Sequence, residues 1–87
     1  TMQASFKVFE LCKAMAEEGN PNSVSDAGVG VLAARAAVLG AGLNVKINAS
    51  GLKDRETADK LVSEANELIK KANELEAEIM KIVEDKL

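Results

Sequence analysis

The sequence has no histidine, tryptophan or tyrosine, and only one cysteine and one proline among its 87 residues. Each scarcity closes off some chemistry. Without histidine, the commonest general base near neutral pH and the commonest metal ligand are both missing. The one thiol, Cys12, cannot form an intrachain disulfide or a thiolate zinc site, and it fits a reducing, cytoplasmic setting. We therefore expect no metal, and acid/base work falls to carboxylates, lysines, amides or hydroxyls. Two aromatic residues, Phe6 and Phe9, give no stacking platform for single-stranded nucleic acid. A net charge of -3 also lacks the basic footprint of a phosphate-backbone binder, so no nucleic-acid partner is expected. A basic leader followed by an apolar run and a small-residue cleavage site is missing too, and no signal peptide is read.

What is present folds. Hydrophobic residues make up 47% and charged residues 29%, which excludes a disordered or proline-rich chain. At this length one domain is the upper bound, and it buries only about 60 to 65% of its unfolded surface. Breakers at Gly19-Asn20-Pro21-Asn22 and around Asn48-Ala49-Ser50-Gly51 divide the chain into three helical segments, expected at about 2–18, 23–47 and 53–86.

In the first segment Val8, Leu11, Cys12 and Met15 recur at one-face spacing. Gly19 suits a left-handed C-cap, and Pro21 cannot continue that helix. Ser23 is the expected N-cap of the second, with the Asp26 carboxylate reaching back to it. From 27 to 47 only Arg35, Asn44 and Lys46 interrupt an apolar, alanine- and glycine-rich run. A helix apolar all round is either buried or in a bilayer. Arg35 at mid-span would cost about 2.5 to 3.5 kcal/mol in lipid, so burial is expected and no membrane. Gly28, Ala33, Ala37 and Gly40 are accordingly expected at close helix crossings.

The third segment is of another kind: 17 of the 25 charged residues lie in 51–87, marking a wet outer face. Beneath it Ala58, Leu61, Ala65, Leu68, Ala72, Leu75, Ile79 and Ile82 alternate by three and four, widened by Val62, Ile69 and Val83. That width suits a bundle more than a two-stranded zipper. The fold class is all-α, a three-helix segment of a helical bundle. Two amphipathic flanking helices cannot cover a middle helix without a wet face, so further partners are required.

The run Gly19-Asn20-Pro21-Asn22-Ser23-Val24-Ser25-Asp26-Ala27-Gly28-Val29, then Ala33-Ala34-Arg35-Ala36-Ala37 and Leu43-Asn44-Val45-Lys46-Ile47-Asn48, resembles the C-terminal part of the formiminotransferase-cyclodeaminase family. That family includes cyclodeaminases and methenyltetrahydrofolate cyclohydrolases. The resemblance spans about 6–54. It implies an all-helical, dimerising protein with a tetrahydrofolate derivative as substrate and no metal. The implied chemistry is addition and elimination at a one-carbon unit held between N5 and N10 of the folate. N10 attacks a formimino carbon and ammonia leaves, or water attacks a methenyl carbon. Nothing here matches the family's upstream glycine-rich segment ending in serine. The chain is therefore expected to hold part of a pocket, to be inactive alone, and to be completed by self-association or by a missing N-terminal part.

On this basis Asp26 is the candidate acid/base residue, beside the matched loop and before apolar walls that would desolvate its carboxylate. Its bland reading is a capping carboxylate. Asn22, Ser23 and Ser25 are candidate contacts to the pterin or the glutamate tail, though turn formation explains them as well. Arg35 either pairs with a carboxylate of a neighbouring helix or binds the anionic tail. Asn44 is a further candidate contact, against the alternative that it closes the helix together with Lys46 and Asn48. Cys12 reads as a small core residue. The rival function, from another class, is a noncatalytic helical module that self-associates through its middle helix.

Overall fold

A computed structural model describes residues 2–87, with side chains from Phe6 onward. It contains three helices and, among the described residues, no strand: α1 (Met2–Glu18), α2 (Pro21–Ser50) and α3 (Arg55–Lys86). They run up, down and up. Phe6, Lys13 and Glu17 of α1 meet Lys71, Glu78 and Lys86 of α3 in ascending order, so these two helices are parallel. Against α2 the order reverses: Gly28 faces Val83, and Arg35 meets Asn73. The result is a rod of 51 × 15 × 15 Å.

The turns follow from a few residues. Gly19 takes φ 83, a left-handed conformation that ends α1 at small cost only for glycine. Asn20, not Ser23, caps α2: its side chain accepts from the Asn22 amide at 3.0 Å, and Pro21 occupies the first helical position, where it needs no donor. The expected cap at Ser23 is thus displaced three residues upstream, and Asp26 has no cap to serve. At the other end α2 runs through Asn48 to Ser50, past the expected break. There Arg55 Nη2 donates to the Ala49 carbonyl at 2.8 Å. Asp54 caps α3, its Oδ1 accepting from the Glu56 and Thr57 amides and its Oδ2 from the Thr57 hydroxyl.

The core is narrow and built mainly from alanine and valine. Val24, Ala27, Val31, Ala34 and Val38 form the inner line of α2, and Ala58, Ala65, Ala72 and Ile79 recur every seven residues along α3. Small side chains at that spacing let the helices approach closely. In α1 the buried line is Phe9, Cys12 and Ala16; Val8 and Leu11, expected inside, are exposed. Both stripes are apolar, and the one carrying phenylalanine wins because it removes more area from water. Of the glycines, Gly30 has the least room: a Cβ there would lie 2.7 Å from Cys12 Sγ. Burial without a polar partner pushes the Cys12 thiol pKa up.

Two features leave α2 uncovered. α1 has 17 residues against 30 in α2 and 32 in α3, so among the described residues the C-terminal part of α2 has α3 as its only neighbour. The outward face also stays open: Val29 is 69%, Leu43 61% and Ile47 66% exposed. Of the four residues expected at close crossings, only Gly28 is buried. Ala33, Ala37 and Gly40 are exposed, and a Cβ on Gly40 would meet nothing within 4 Å. α2 is long and apolar enough to cross a membrane, with a mean hydropathy of 1.5 over its most apolar window, of which 28% is buried.

Candidate functional site

The candidate residues all lie on α2, and helical geometry decides which can act together. Asn22, Ser23, Ser25 and Asp26 occupy its first turn and a half, at the end of the rod where the α1–α2 turn lies. Asn22, Ser25 and Asp26 are exposed, and Ser23 is half-buried. Asp26 therefore stands on the surface and not between apolar walls. Lys86 brings a cation to this end, its Nζ donating to the Glu17 carbonyl at 2.7 Å. There it caps the C-terminus of α1, where a positive charge suits the dipole.

Asn44 is 18 residues from Asp26, about five full turns, so the two share the outward face but stand about 27 Å apart. Arg35 is nine residues from each, about two and a half turns, and so points the opposite way, toward α3. Its Nε donates to Asn73 Oδ1 at 2.7 Å. The expected carboxylate partner is not there: the one ion pair among the described residues joins Lys13 to Glu78 at 2.7 Å, which raises the Lys13 pKa through the hydrogen bond and its charge. Glu56–Lys60 and Glu67–Lys71, which the four-residue spacing along α3 sets up as helix-supporting pairs, form no ion pair either. In this chain, then, Asp26 and its neighbours form one group, while Arg35 and Asn44 each stand apart from it.

Three recesses lie elsewhere. One of about 220 Å³, between α1 and α3, is lined by Phe6, Phe9, Glu10, Lys13, Lys71, Leu75 and Ile79. Lys71 Nζ sits 5.0 Å above the Phe6 ring, and the Phe6 and Phe9 centroids are 5.6 Å apart. A second, open groove of about 440 Å³ runs along α3 from Asp59 to Lys70, and a third of about 100 Å³ lies between Val45 and Leu61. None is lined by any of the six candidate residues. Sequence reasoning missed Asn20, Asn73 and Lys86. Asn20 stood in plain sight before a proline, whereas nothing in the heptad pattern of α3 marks Asn73 or Lys86.

Comparison with known proteins decides the lineage. A formiminotransferase-cyclodeaminase family model matches residues 1–67. The chain belongs to the formiminotransferase-cyclodeaminase family. A methenyltetrahydrofolate cyclohydrolase of Methylorubrum extorquens is 42% identical over 81 residues, which is 93% of this chain and 39% of that relative. The chain thus spans about two-fifths of the length of the relative it matches. No solved structure matches it. Family membership agrees with the resemblance carried by the Gly19–Val29 run, and the three helices agree with the all-α expectation. Asn73, beyond the family match, is inside no motif that the resemblance uses.

Proposed function

We propose that this chain forms one wall of a folate one-carbon site and that its chemistry is the cyclohydrolase reaction. The observation that carries this reading is the 42% identity, sustained over nearly the whole chain, to a methenyltetrahydrofolate cyclohydrolase. In that reaction water adds to the methenyl carbon, a C–O bond forms, and one C–N bond of the five-membered ring breaks to leave a formyl group. One proton is lost overall. Asp26 is the group that takes the proton from the attacking water, and an exposed carboxylate beside an open apolar face is where an incoming ring would meet it. Asn22, Ser23 and Ser25 flank it with hydroxyl and amide groups for the pterin, and Arg35 and Asn44 are the more distant substrate contacts. The reading places the protein in the cytoplasm, where Cys12 stays reduced.

The pocket is completed by whatever covers the outward face of α2, and we assign that role first to a second copy of the chain. The exposure of Val29, Leu32, Leu43 and Ile47 along one face supports this. The experiment is turnover of methenyltetrahydrofolate by the chain at several concentrations, with Asp26→Asn as the control. A rate above the uncatalysed one, rising faster than protein concentration and falling about 10² to 10⁴-fold in Asp26→Asn, supports the reading. Catalysis unaffected by Asp26→Asn removes Asp26 from the chemistry. Because Asn20 caps α2, helix content should not change in this variant, so chemistry and folding separate cleanly.

A second reading has one observation in its favour: Asp26 lines none of the three recesses described above. On that reading the chain is a noncatalytic helical module that self-associates through α2. Association without any turnover, and without folate binding, would select it.

A further inference from the structure

We propose that the recess between α1 and α3 binds a small free α-amino acid with an apolar side chain. Its base is apolar: Phe9 and Ile79, 1% and 0% exposed, close it from below, and the half-buried Phe6 and Leu75 wall it. Its volume of about 220 Å³ sets the size of the occupant, because pockets for drug-sized ligands run to roughly 300–1,000 Å³. One branched aliphatic or single-ring side chain fits that space. The site stands apart from the folate reading, since none of the residues assigned to that chemistry lines the recess.

The rim selects the head group. Lys13 spends its charge on Glu78 at 2.7 Å, which leaves a neutral pair at one end of the recess. Two lining charges remain, Lys71 and Glu10, and neither has an ion-pair partner among the described residues. Lys71 Nζ sits 5.0 Å over the Phe6 ring, a cation–π contact that holds the ammonium at the other end. Glu10 is four residues beyond Phe6 on α1, so the two charges are offset by about 6 Å along the helix axis. They do not pair, yet one small molecule can bridge them. The ammonium and carboxylate of an amino acid are about 3 Å apart, and a charge-assisted hydrogen bond of about 2.8 Å at each end carries such a head group across the gap. Its carboxylate then meets Lys71, its ammonium meets Glu10, and its side chain lies on Leu75. A plain carboxylate would face the like charge of Glu10, and a plain amine that of Lys71. The glutamate of a folate has its nitrogen in an amide, so it lacks the ammonium that Glu10 calls for.

The test is a titration of the methyl-labelled chain with L-leucine, following the Leu75 and Ile79 methyl resonances by NMR at ionic strength held constant with sodium chloride. Two probes each lack one charge: 4-methylpentanoate has no ammonium and 3-methylbutylamine no carboxylate. Expected is a saturable shift with L-leucine, and binding about 10-fold weaker for either probe, which loses one charge-assisted hydrogen bond. Glu10→Gln and Lys71→Met should each weaken L-leucine by a similar factor. Glu10→Gln should also erase the preference for L-leucine over 4-methylpentanoate, a change that a merely structural role would not produce. Both residues are exposed, and glutamine and methionine are good helix formers, so helix content should match the wild type. No saturable shift with L-leucine in the wild-type chain overturns the site. Equal affinity for L-leucine and 4-methylpentanoate, or a preference that survives Glu10→Gln, overturns the assignment to an amino acid.

Discussion

Replacing Gly30 by alanine sets two opposed effects against each other, and the structure says which wins. In a helix interior, glycine to alanine normally gains about 0.5 to 1 kcal/mol, because alanine loses less backbone entropy on folding. At Gly30 the new Cβ would come 2.7 Å from the Cys12 sulfur, a distance that real Cβ atoms do not tolerate. Cys12 is buried against this helix, so relief requires either that its Sγ rotate into another position within the packed core or that the helices separate. Overpacking of this kind costs about 1 to 3 kcal/mol. Gly30→Ala should therefore destabilise the chain by up to about 2.5 kcal/mol, and at best be neutral. Gly28 and Gly40 are internal controls. A Cβ at Gly28 would lie 3.4 Å from Val83 Cγ1, an ordinary contact, and at Gly40 it would meet nothing. Gly40→Ala should gain the full propensity benefit of about 0.5 to 1 kcal/mol. Urea unfolding followed by circular dichroism reads these differences in the midpoint, provided the slope is unchanged. The decisive arm is Cys12→Ala, which removes the sulfur: in that background Gly30→Ala should become stabilising, giving a coupling of about 1 to 3 kcal/mol in the double-mutant cycle. If Gly30→Ala stabilises the wild-type chain as much as Gly40→Ala does, α1 and α2 do not approach as described, and the account of the core fails.

The remaining predictions concern the caps, the open face and the candidate base. Asp54 has its carboxyl pKa held below the usual range by the Thr57 hydroxyl and the Thr57 and Glu56 amides. Its contribution is present above the unfolded carboxylate pKa of about 3.9 and is lost as pH falls through the folded value, so α3 should loosen on the acid side. Asp54→Asn should keep much of the cap yet flatten that acid-side loss, while Asp54→Ala should lower the urea midpoint at neutral pH; equal acid sensitivity in Asp54→Asn would count against the cap as its source. On the open face, Leu43→Lys and Ile47→Lys should each weaken self-association in sedimentation while shifting the stability of the isolated chain by less than about 0.5 kcal/mol. A wild-type chain that stays monomeric at high micromolar concentration would contradict that. Asp26→Asn should lower turnover in the proposed reaction about 10² to 10⁴-fold with helix content intact.

The number and order of helices were legible because the chain's few breakers are strong. Gly19 and Pro21 mark one turn unambiguously, and the charged, heptad-patterned α3 announces its inner face through Ala58, Ala65, Ala72 and Ile79. Boundaries were less legible for a physical reason. A serine three residues before an aspartate resembles a capping box, yet proline fixes φ at the first helical position and so hands the cap to Asn20. In α1 the expected stripe Val8–Leu11–Cys12–Met15 overlaps the buried line Phe9–Cys12–Ala16 at Cys12, with Met15 packed at its margin, and spacing alone cannot rank the two. In α2 no periodicity exists to read: the buried line from Val24 to Val38 and the exposed line from Val29 to Ile47 are equally apolar. The partner of Arg35 was illegible because pairing rules look for opposite charge, and here an amide does the work.

The division of α2 into an inner and an outer face bears directly on the candidate site. Asp26 and Asn44 lie on the outer face and Arg35 on the seam with α3, so nothing within one copy can enclose all three. A ligand bound at Asp26 must be enclosed from outside, by the body that covers Val29, Leu32, Leu43 and Ile47. Covering that face and building the pocket are then the same event. The small residues between the two polar ends, Ala33, Ala36, Ala37 and Gly40, set how near that body can come, because they raise no side chain beyond a methyl group. In the isolated chain Ala37→Leu has room and should be nearly neutral; where the face is covered, the same change should push the covering body away. A large effect of Ala37→Leu on turnover, beside a small one on the stability of the uncovered chain, is the signature expected of a site assembled on the outer face.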